Sequence, residues 1–229
     1  MALIMKKTIT FLASGNGGTL KFVFQAIARL GLPLTIIDVV ADRDCGALEY
    51  AQSQGLRATH IAYSRKTPAE LQRVLAENHS DLVVTNIHKI IDAETLGLLP
   101  GSFVNLHYSL LPAFKGFIGM ETVVQAQLLN TGIIGATCHE VDELVDNGRV
   151  LSQCAMPVDW NHTTPVDMHE AVFRGASLCL LDGLMQKTGL SLSGRTEQLR
   201  VQGRLLLFSP ALCFDATALD ESFWLGLKN

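Results

Sequence analysis

Apolar runs of strand length alternate with amphipathic stretches along the first half of the chain. Strand-like runs cover residues 8–13, 34–41, 59–63 and 81–87, and helical periodicity follows them over residues 20–30, 47–53, 67–75 and 92–100. These strand-like runs are apolar throughout, which is typical of parallel strands buried on both faces. The pattern therefore predicts an α/β fold with a mainly parallel sheet and helices on both faces.

The second half of the chain begins in the same way and then changes. It predicts strands at 103–107, 133–141 and 149–158 and helices at 120–130 and 165–187. The apolar side of the last helix carries Val166, Val172, Leu178, Leu181 and Leu184. From residue 190 the helical periodicity is absent, and short strands flank Gly194 and Gly203. We therefore predict a main domain at 1–189 and a small C-terminal β-hairpin appendix at 190–229, packed on the same domain.

Composition and charge exclude several classes of protein. The net charge of −4, with no Lys/Arg run, gives no electrostatic reason to bind nucleic acid or an anionic membrane. Five cysteines without a Cys-x-x-Cys pair argue against a disulfide framework and a zinc ribbon. The first lysines follow a very short apolar patch, the reverse of a signal peptide, and no run approaches the roughly 20 apolar residues of a membrane span. We expect a cytoplasmic protein that uses no metal.

Asn105 and His107 lie two residues apart at the end of a predicted strand, so their side chains share one face. Buried amide and imidazole groups need partners, which makes the pair poor core design. The pair suits an active site, because the carboxyl ends of strands in an open α/β sheet face the ligand crevice. Taken alone, it is as consistent with a structural role as with catalysis.

Three carboxylates, Asp142, Glu143 and Asp146, follow in the polar stretch 139–148. A carboxylate beside His107 would hold the imidazole in one tautomer, and the amide of Asn105 would donate to a developing oxyanion. That set describes attack of a neutral nucleophile on a carbonyl group. The stretch matches neither the His-Glu-x-x-His zinc motif nor a calcium loop. For the carboxylates alone, a solvated acidic loop is the favoured interpretation.

A glycine-rich loop at 14–19 connects the first predicted strand to the first helix. This layout directs backbone N–H groups at an anion, although a turn that needs positive φ angles and binds nothing fits nearly as well. The loop has neither the Lys-Ser/Thr ending of a P-loop nor the Gly-x-Gly-x-x-Gly pattern of a dinucleotide-binding dehydrogenase.

In their order along the chain, these motifs resemble the folate-dependent formyltransferases, the family of glycinamide ribonucleotide transformylase. The motifs are Ser-Gly-Asn-Gly at 14–17, Asn-Leu-His-Tyr-Ser-Leu-Leu-Pro at 105–112, Lys-Gly at 115–116, and His139 leading to Asp-Asn-Gly at 146–148. The resemblance extends from about residue 8 to residue 187. It implies a Rossmann-like formyltransferase fold and 10-formyltetrahydrofolate as the co-substrate that donates the formyl group.

The resemblance also implies roles for individual residues. Asn105 would bind the formyl oxygen, His107 would stabilise the charge that develops there, and Asp146 would set the charge state of His107 and take the amine proton. The folate pterin is expected beside Ile87, Lys89, Ile90, Ile91, Val141 and Asp142. The acceptor is expected at Gly15, Asn16, Gly17, Gly18 and Thr19.

The residues around the acceptor depart from the family pattern. Gly18-Thr19 replaces the Ser-Asn that holds a ribose phosphate, and Ala176 falls near the position of a glutamate on the last helix. Lys89 and Asn86 replace an arginine and a glycine. The resemblance with these departures predicts an N-formyltransferase acting on an amine or hydroxylamine, with hydroxyornithine in siderophore biosynthesis as the first hypothesis.

Several alternatives stay open from the sequence. The acceptor is alternatively glycinamide ribonucleotide in purine biosynthesis or an amino sugar, whereas the acidic net charge argues against a methionyl-tRNA substrate. A non-catalytic folate-binding module is the hypothesis from another class. The predicted hairpin at 190–229 is compatible with covering a sheet edge, closing the acceptor pocket or forming a homodimer.

Overall fold

The computed structural model describes residues 6–228 and divides them into two compact units. The first unit runs to Val104 and includes the segment from Ala218 on, and the second comprises Asn105–Thr217. The predicted division between 189 and 190 differs from this one, because residues 190–217 belong to the second unit. Residues 1–5, on which the signal-peptide argument partly rests, lie outside the described residues.

Parallel strands in the order β3-β2-β1-β4-β5 form the sheet of the first unit, which includes β5 only as far as Val104. The strands are β1 (Lys7–Ala13), β2 (Leu34–Ala41), β3 (Arg57–His60), β4 (Leu82–Asn86) and β5 (Phe103–His107), and the helices between them are α1 (Gly18–Leu30), α2 (Gly46–Ser53), α3 (Ala69–Asn78) and α4 (Ala93–Leu98). Consecutive residues from Ile9 to Leu12 are fully buried, so both faces of the sheet are covered. The predicted α/β fold with a mainly parallel sheet is confirmed in this unit.

Two elements of the first unit have bounds that differ from the predicted ones. β3 ends at His60, before the predicted Tyr63, whose side chain is buried. The helix predicted over residues 67–75 begins later, since Pro68 is the residue before α3, and Thr67 Oγ1 lies 2.7 Å from Ser64 Oγ. The local pairing of Ser64 with Thr67 therefore takes the hydroxyl away from the helix terminus.

Antiparallel pairing distinguishes the second unit, in which β6, β7, β9 and β8 are neighbours in that order. Its elements are α5 (Glu121–Leu128), β6 (Ile133–Glu140), β7 (Val150–Pro157), α6 (Pro165–Lys187), β8 (Thr196–Val201) and β9 (Arg204–Leu212). The long helix α6 packs on β6, β7 and β9. Its predicted apolar side is buried except for Val166, which is exposed in the first helical turn.

A short C-terminal helix, α7 (Glu221–Gly226), completes the first unit and was not predicted. The ring of Trp224 stacks on Phe22 of α1 with the ring centroids 5.1 Å apart. Asp220 caps the helix by accepting the N–H of Phe223. None of the helices within residues 6–228 is long and apolar enough to cross a membrane.

Candidate active site

His107 ends β5, and both of its ring nitrogens have protein partners. Its side chain is 5% exposed, Nε2 lies 3.0 Å from the carbonyl oxygen of Phe114, and Nδ1 lies 3.4 Å from Asp146 Oδ2. A carbonyl oxygen only accepts, so Nε2 carries a hydrogen. Nδ1 is the ring nitrogen that faces the Asp146 carboxylate, and it can donate to Oδ2 only when it carries a hydrogen as well.

Asn105 presents its amide from the same face of β5. Its side chain is only partly buried, and no described residue hydrogen-bonds to the amide. An unoccupied N–H₂ group two residues before a buried histidine is free to donate to a ligand oxygen.

Asp146 lies in the segment that joins β6 to β7, residues 141–149, which we call the acidic loop. Its backbone adopts the left-handed region with φ of 50°, an uncommon conformation outside glycine, and its side chain is only 8% exposed. Oδ2 accepts the N–H of Gly116 at 2.8 Å, and Oδ1 lies 3.7 Å from Nε2 of His139. Two imidazoles and one backbone amide thus surround a single buried carboxylate.

The base of the acidic loop is fixed by Glu140. This carboxylate lies within 2.8 Å of Arg149 and 2.6 Å of Lys187, and hydrogen bonds from Arg149 and Lys187 lower its pKa to about 2. A Cβ at Gly148 would lie 1.7 Å from the carbonyl oxygen of Glu140, so only glycine fits where the loop closes.

Hydrogen bonds inside the acidic loop order the residues that precede Asp146. Asp142 Oδ1 accepts the N–H of Leu144 at 2.9 Å, and its Oδ2 accepts from Asn147 at 3.3 Å. Asn147 in turn accepts from Lys115 at 3.1 Å. Asp142 is exposed and Val141 is half-buried, so both have surface available to a ligand.

The glycine loop, residues 14–19, lies in the first unit. The side chains of Ser14 and Thr19 form hydrogen bonds with residues outside the loop. Ser14 donates to Asp42 at 2.7 Å and accepts the N–H of His88 at 2.9 Å. Thr19 is buried in the first turn of α1 and accepts from the amide of Asn86 at 2.6 Å. Among the predicted acceptor residues Gly15, Asn16, Gly17, Gly18 and Thr19, the described structure exposes the polar side chain of Asn16, and the glycines offer backbone groups.

Two features fix the backbone of the glycine loop. Gly17, the residue before α1, has φ of 74°, and a Cβ there would lie 3.0 Å from Cα of Ala47. Asp42 is bound by Arg43 through two hydrogen bonds; burial alone would raise the pKa of Asp42, but the hydrogen bonds from Arg43 and Ser14 hold it below its ordinary value.

The predicted pterin residues of the first unit follow β4. Ile87 and Ile91 are buried, whereas Lys89 and Ile90 are exposed. The buried Tyr63 hydroxyl fixes the end of this segment, because it lies 3.1 Å from the carbonyl oxygen of Ile90 and accepts the N–H of Asp92 at 3.0 Å. Val141 and Asp142, the other two predicted pterin residues, lie in the second unit.

Within residues 6–228 there is no group of three or more His, Cys, Asp or Glu side chains arranged to hold a metal ion.

Comparison with known proteins decides the family. A model of the family described as "Formyl transferase" matches residues 7–180 of the chain. The chain belongs to the formyl transferase family.

Two curated relatives are similar in sequence to this chain over about two thirds of its length. The chloroplastic phosphoribosylglycinamide formyltransferase of Arabidopsis thaliana is 30% identical over 170 residues, covering 69% of this chain and 58% of the relative. The formyltetrahydrofolate deformylase of Mycobacterium bovis is 27% identical over 162 residues, covering 69% of this chain and 51% of the relative. The chain spans little more than half the length of the first curated relatives, 54% and 58%.

A solved structure extends the agreement to the fold. Glycinamide ribonucleotide transformylase 1 from Symbiobacterium toebii matches with a TM-score of 0.73 and 27% identity, covering 88% of this chain and 93% of that one. The Rossmann-like formyl transferase fold that the sequence motifs implied is therefore confirmed.

Sequence analysis did not predict three contacts of the residues that were expected to be catalytic. The Gly116 N–H and the His139 imidazole face Asp146, and the Phe114 carbonyl oxygen contacts Nε2 of His107. A signal existed for His139 alone, because a buried histidine at the end of a strand needs a partner. The backbone contacts depend on left-handed residues such as Phe114, with φ of 57°, which no pattern indicates.

Proposed function

We propose that this formyl transferase moves a formyl group from 10-formyltetrahydrofolate to the amine nitrogen of a small-molecule acceptor. The observation that carries the proposal is the buried Asp146 carboxylate 3.4 Å from His107, with the free amide of Asn105 on the same strand as that histidine. A base, a cation and an amide donor are the groups that attack of an amine on a formyl carbon requires.

Each of the three side chains has one task in the proposed reaction. The amide of Asn105 donates to the formyl oxygen as it becomes negative. The charge on His107 stabilises the same oxygen, and direct contact through Nε2 requires the formyl oxygen to replace the Phe114 carbonyl. Asp146 takes the proton that the amine loses, and the nitrogen of tetrahydrofolate that leaves the carbon gains a proton.

The binding roles follow the family resemblance. Ile87, Lys89, Ile90, Ile91, Val141 and Asp142 are proposed to contact the pterin. The backbone N–H groups of the glycine loop, at the N-terminus of the 13-residue helix α1, are proposed to hold an anionic group of the acceptor.

Glycinamide ribonucleotide is the acceptor that the comparisons favour over hydroxyornithine and amino sugars. A relative at 30% identity is named phosphoribosylglycinamide formyltransferase, and the solved structure at 27% identity is named glycinamide ribonucleotide transformylase. Hydroxyornithine, our first hypothesis from the altered glycine loop, has no such support. A second candidate function is hydrolysis of 10-formyltetrahydrofolate to tetrahydrofolate and formate, because another relative at 27% identity is named a formyltetrahydrofolate deformylase.

The test is release of tetrahydrofolate from 10-formyltetrahydrofolate, followed with glycinamide ribonucleotide, hydroxyornithine, an amino-sugar nucleotide and no acceptor. We expect release that depends on glycinamide ribonucleotide. Release with equal formate in the absence of any acceptor would make the protein a hydrolase. Folate binding without release under any condition would leave a non-catalytic folate-binding module, and absence of folate binding would refute the proposal.

A further inference from the structure

His139, near the end of β6, is a buried histidine to which the proposed reaction assigns no task. Its side chain is 2% exposed, and Nδ1 lies 2.7 Å from the carbonyl oxygen of Glu140. Because that oxygen only accepts, Nδ1 carries the hydrogen. In the neutral ring, Nε2 is then an acceptor.

The acceptor Nε2 faces the catalytic carboxylate. It lies 3.7 Å from Asp146 Oδ1, and no described residue donates a hydrogen bond to it. Burial lowers the pKa of His139 and outweighs the Glu140 carbonyl and the Asp146 and Asp142 carboxylates, which raise it, while His107 lowers it further. At neutral pH two acceptors therefore face each other with no hydrogen between them, which is unfavourable for buried groups.

The other oxygen of Asp146 is in the opposite situation. Oδ2 accepts the Gly116 N–H at 2.8 Å and faces His107 Nδ1 at 3.4 Å, and both contacts favour the ionised carboxylate. A proton added to Oδ1, however, would gain an acceptor at once.

We propose that His139 is a positioning residue that acts through Asp146, because its neutral Nε2 accepts a hydrogen bond from Oδ1 once that carboxylate has taken the proton of the attacking amine. The inference rests on the proposed function. The N–H bond of the amine breaks and its electron pair stays on nitrogen, while an O–H bond forms on Asp146. The same proton is later needed by the leaving nitrogen of tetrahydrofolate, so the transfer consumes and releases no net proton.

A test independent of turnover is nitrogen-15 NMR of the histidine side chains, with the His139 signals assigned from their loss in His139→Gln. We expect a protonated Nδ1 and an unprotonated Nε2 at pH 7. A hydrogen on Nε2 at pH 7, in the other tautomer or in the imidazolium, would overturn the inference even if formyl transfer is observed.

The kinetic test compares His139→Phe, which keeps the ring size without an acceptor, with His139→Gln, whose amide oxygen can accept. Without an acceptor, protonated Asp146 loses stabilisation, so its apparent pKa falls. We expect the acid limb of the kcat profile of His139→Phe to move about one unit to lower pH, kcat to fall about tenfold, and both KM values to stay unchanged. The acid limb and the kcat of His139→Gln should lie between those of His139→Phe and those of the unaltered protein.

The matched control is His162→Phe, which removes an exposed histidine that pairs with Asp159 at 2.9 Å. Its profile should equal that of the unaltered protein. An acid limb that does not move in either His139 variant, or a change in KM instead of kcat, would assign His139 a structural role and refute the inference. Absence of formyl transfer by the unaltered protein would refute the proposed function, and the NMR result alone would then decide the tautomer.

Discussion

The acidic loop and the glycine loop both follow strands, yet their polar groups are arranged in opposite ways. In the acidic loop, Asp146 and its neighbours His107 and His139 are buried and directed at one another. In the glycine loop, two polar side chains are paired with residues of the surrounding first unit, Ser14 with Asp42 and Thr19 with Asn86. The first arrangement keeps a carboxylate available for a proton, and the second leaves backbone N–H groups and the exposed Asn16 side chain as the binding surface.

This difference separates chemistry from binding. A change at the residues around the acidic loop should lower kcat, because it alters where charge develops in the transition state. A change in the glycine loop should raise the KM for the acceptor, because it alters only how the acceptor is held.

Apart from loss of the proposed base itself, the largest effect is expected for Asn105→Ala, which removes the proposed oxyanion donor. Loss of one such donor typically lowers kcat by about 10²–10³. Initial rates of tetrahydrofolate release measure this, and folate binding should be unchanged. Asn161→Ala, in an exposed turn, is the control, and an Asn105 variant as active as this control would exclude the amide from catalysis.

Next is Gly148→Ala, which should misplace the whole acidic loop. The added methyl group would lie 1.7 Å from the Glu140 carbonyl oxygen, so the backbone must shift. We expect a loss of about 1–3 kcal/mol in the free energy of unfolding together with a lower kcat. Gly132→Ala, where a Cβ meets nothing within 4 Å, should leave both unchanged. Equal stability of the two variants would show that closure of the loop is not tight.

Glu140→Gln tests the anchor of the acidic loop through pH. The folded pKa of about 2 lies below the ordinary value of 4.5, so the stabilisation is present above pH 4.5 and is lost as the pH falls towards 2. The variant should be less stable by about 2–3 kcal/mol at pH 7 and equal to the unaltered protein near pH 2. Chemical denaturation at a series of pH values measures this. A pH-independent difference, or a similar effect of exposed Glu143→Gln, would contradict the anchoring role.

The smallest effect is expected for Thr19→Val in the glycine loop. It keeps the shape of the side chain but removes the acceptor of the Asn86 amide. We expect the KM for the acceptor to rise about threefold, the range of a weakened neutral hydrogen bond, with kcat unchanged. Steady-state kinetics with varied acceptor give both values. A drop in kcat at constant KM would contradict the separation of chemistry from binding.

The elements that were predicted correctly are those whose signal is local. The helix Pro165–Lys187 has its predicted bounds, because proline favours the first turn and apolar residues recur over its full length. The antiparallel direction of β6 and β7 was not predicted, although the acidic loop between them holds no helix, and parallel strands need a long crossover. The six-residue helix α7 was too short to give a periodic pattern.

In the candidate site, too, the residues with a local sequence motif were predicted and the contacts that depend on the fold were not. The sequence motifs indicated Asn105, His107 and Asp146, and the second unit places His107 and Asp146 in contact. The contacts of Gly116, Phe114 and His139 depend on the turn of the backbone between distant positions, so periodicity and spacing carry no record of them.

The central claim, that Asp146 removes the proton of the acceptor, is tested most directly by Asp146→Asn. The measurement is tetrahydrofolate release with glycinamide ribonucleotide at saturating folate, with folate affinity determined on the same sample. The isosteric amide cannot take the proton, so we predict that release falls to the uncatalysed rate while folate still binds. Release at an undiminished rate would contradict the account, because the carboxylate would then not be the base.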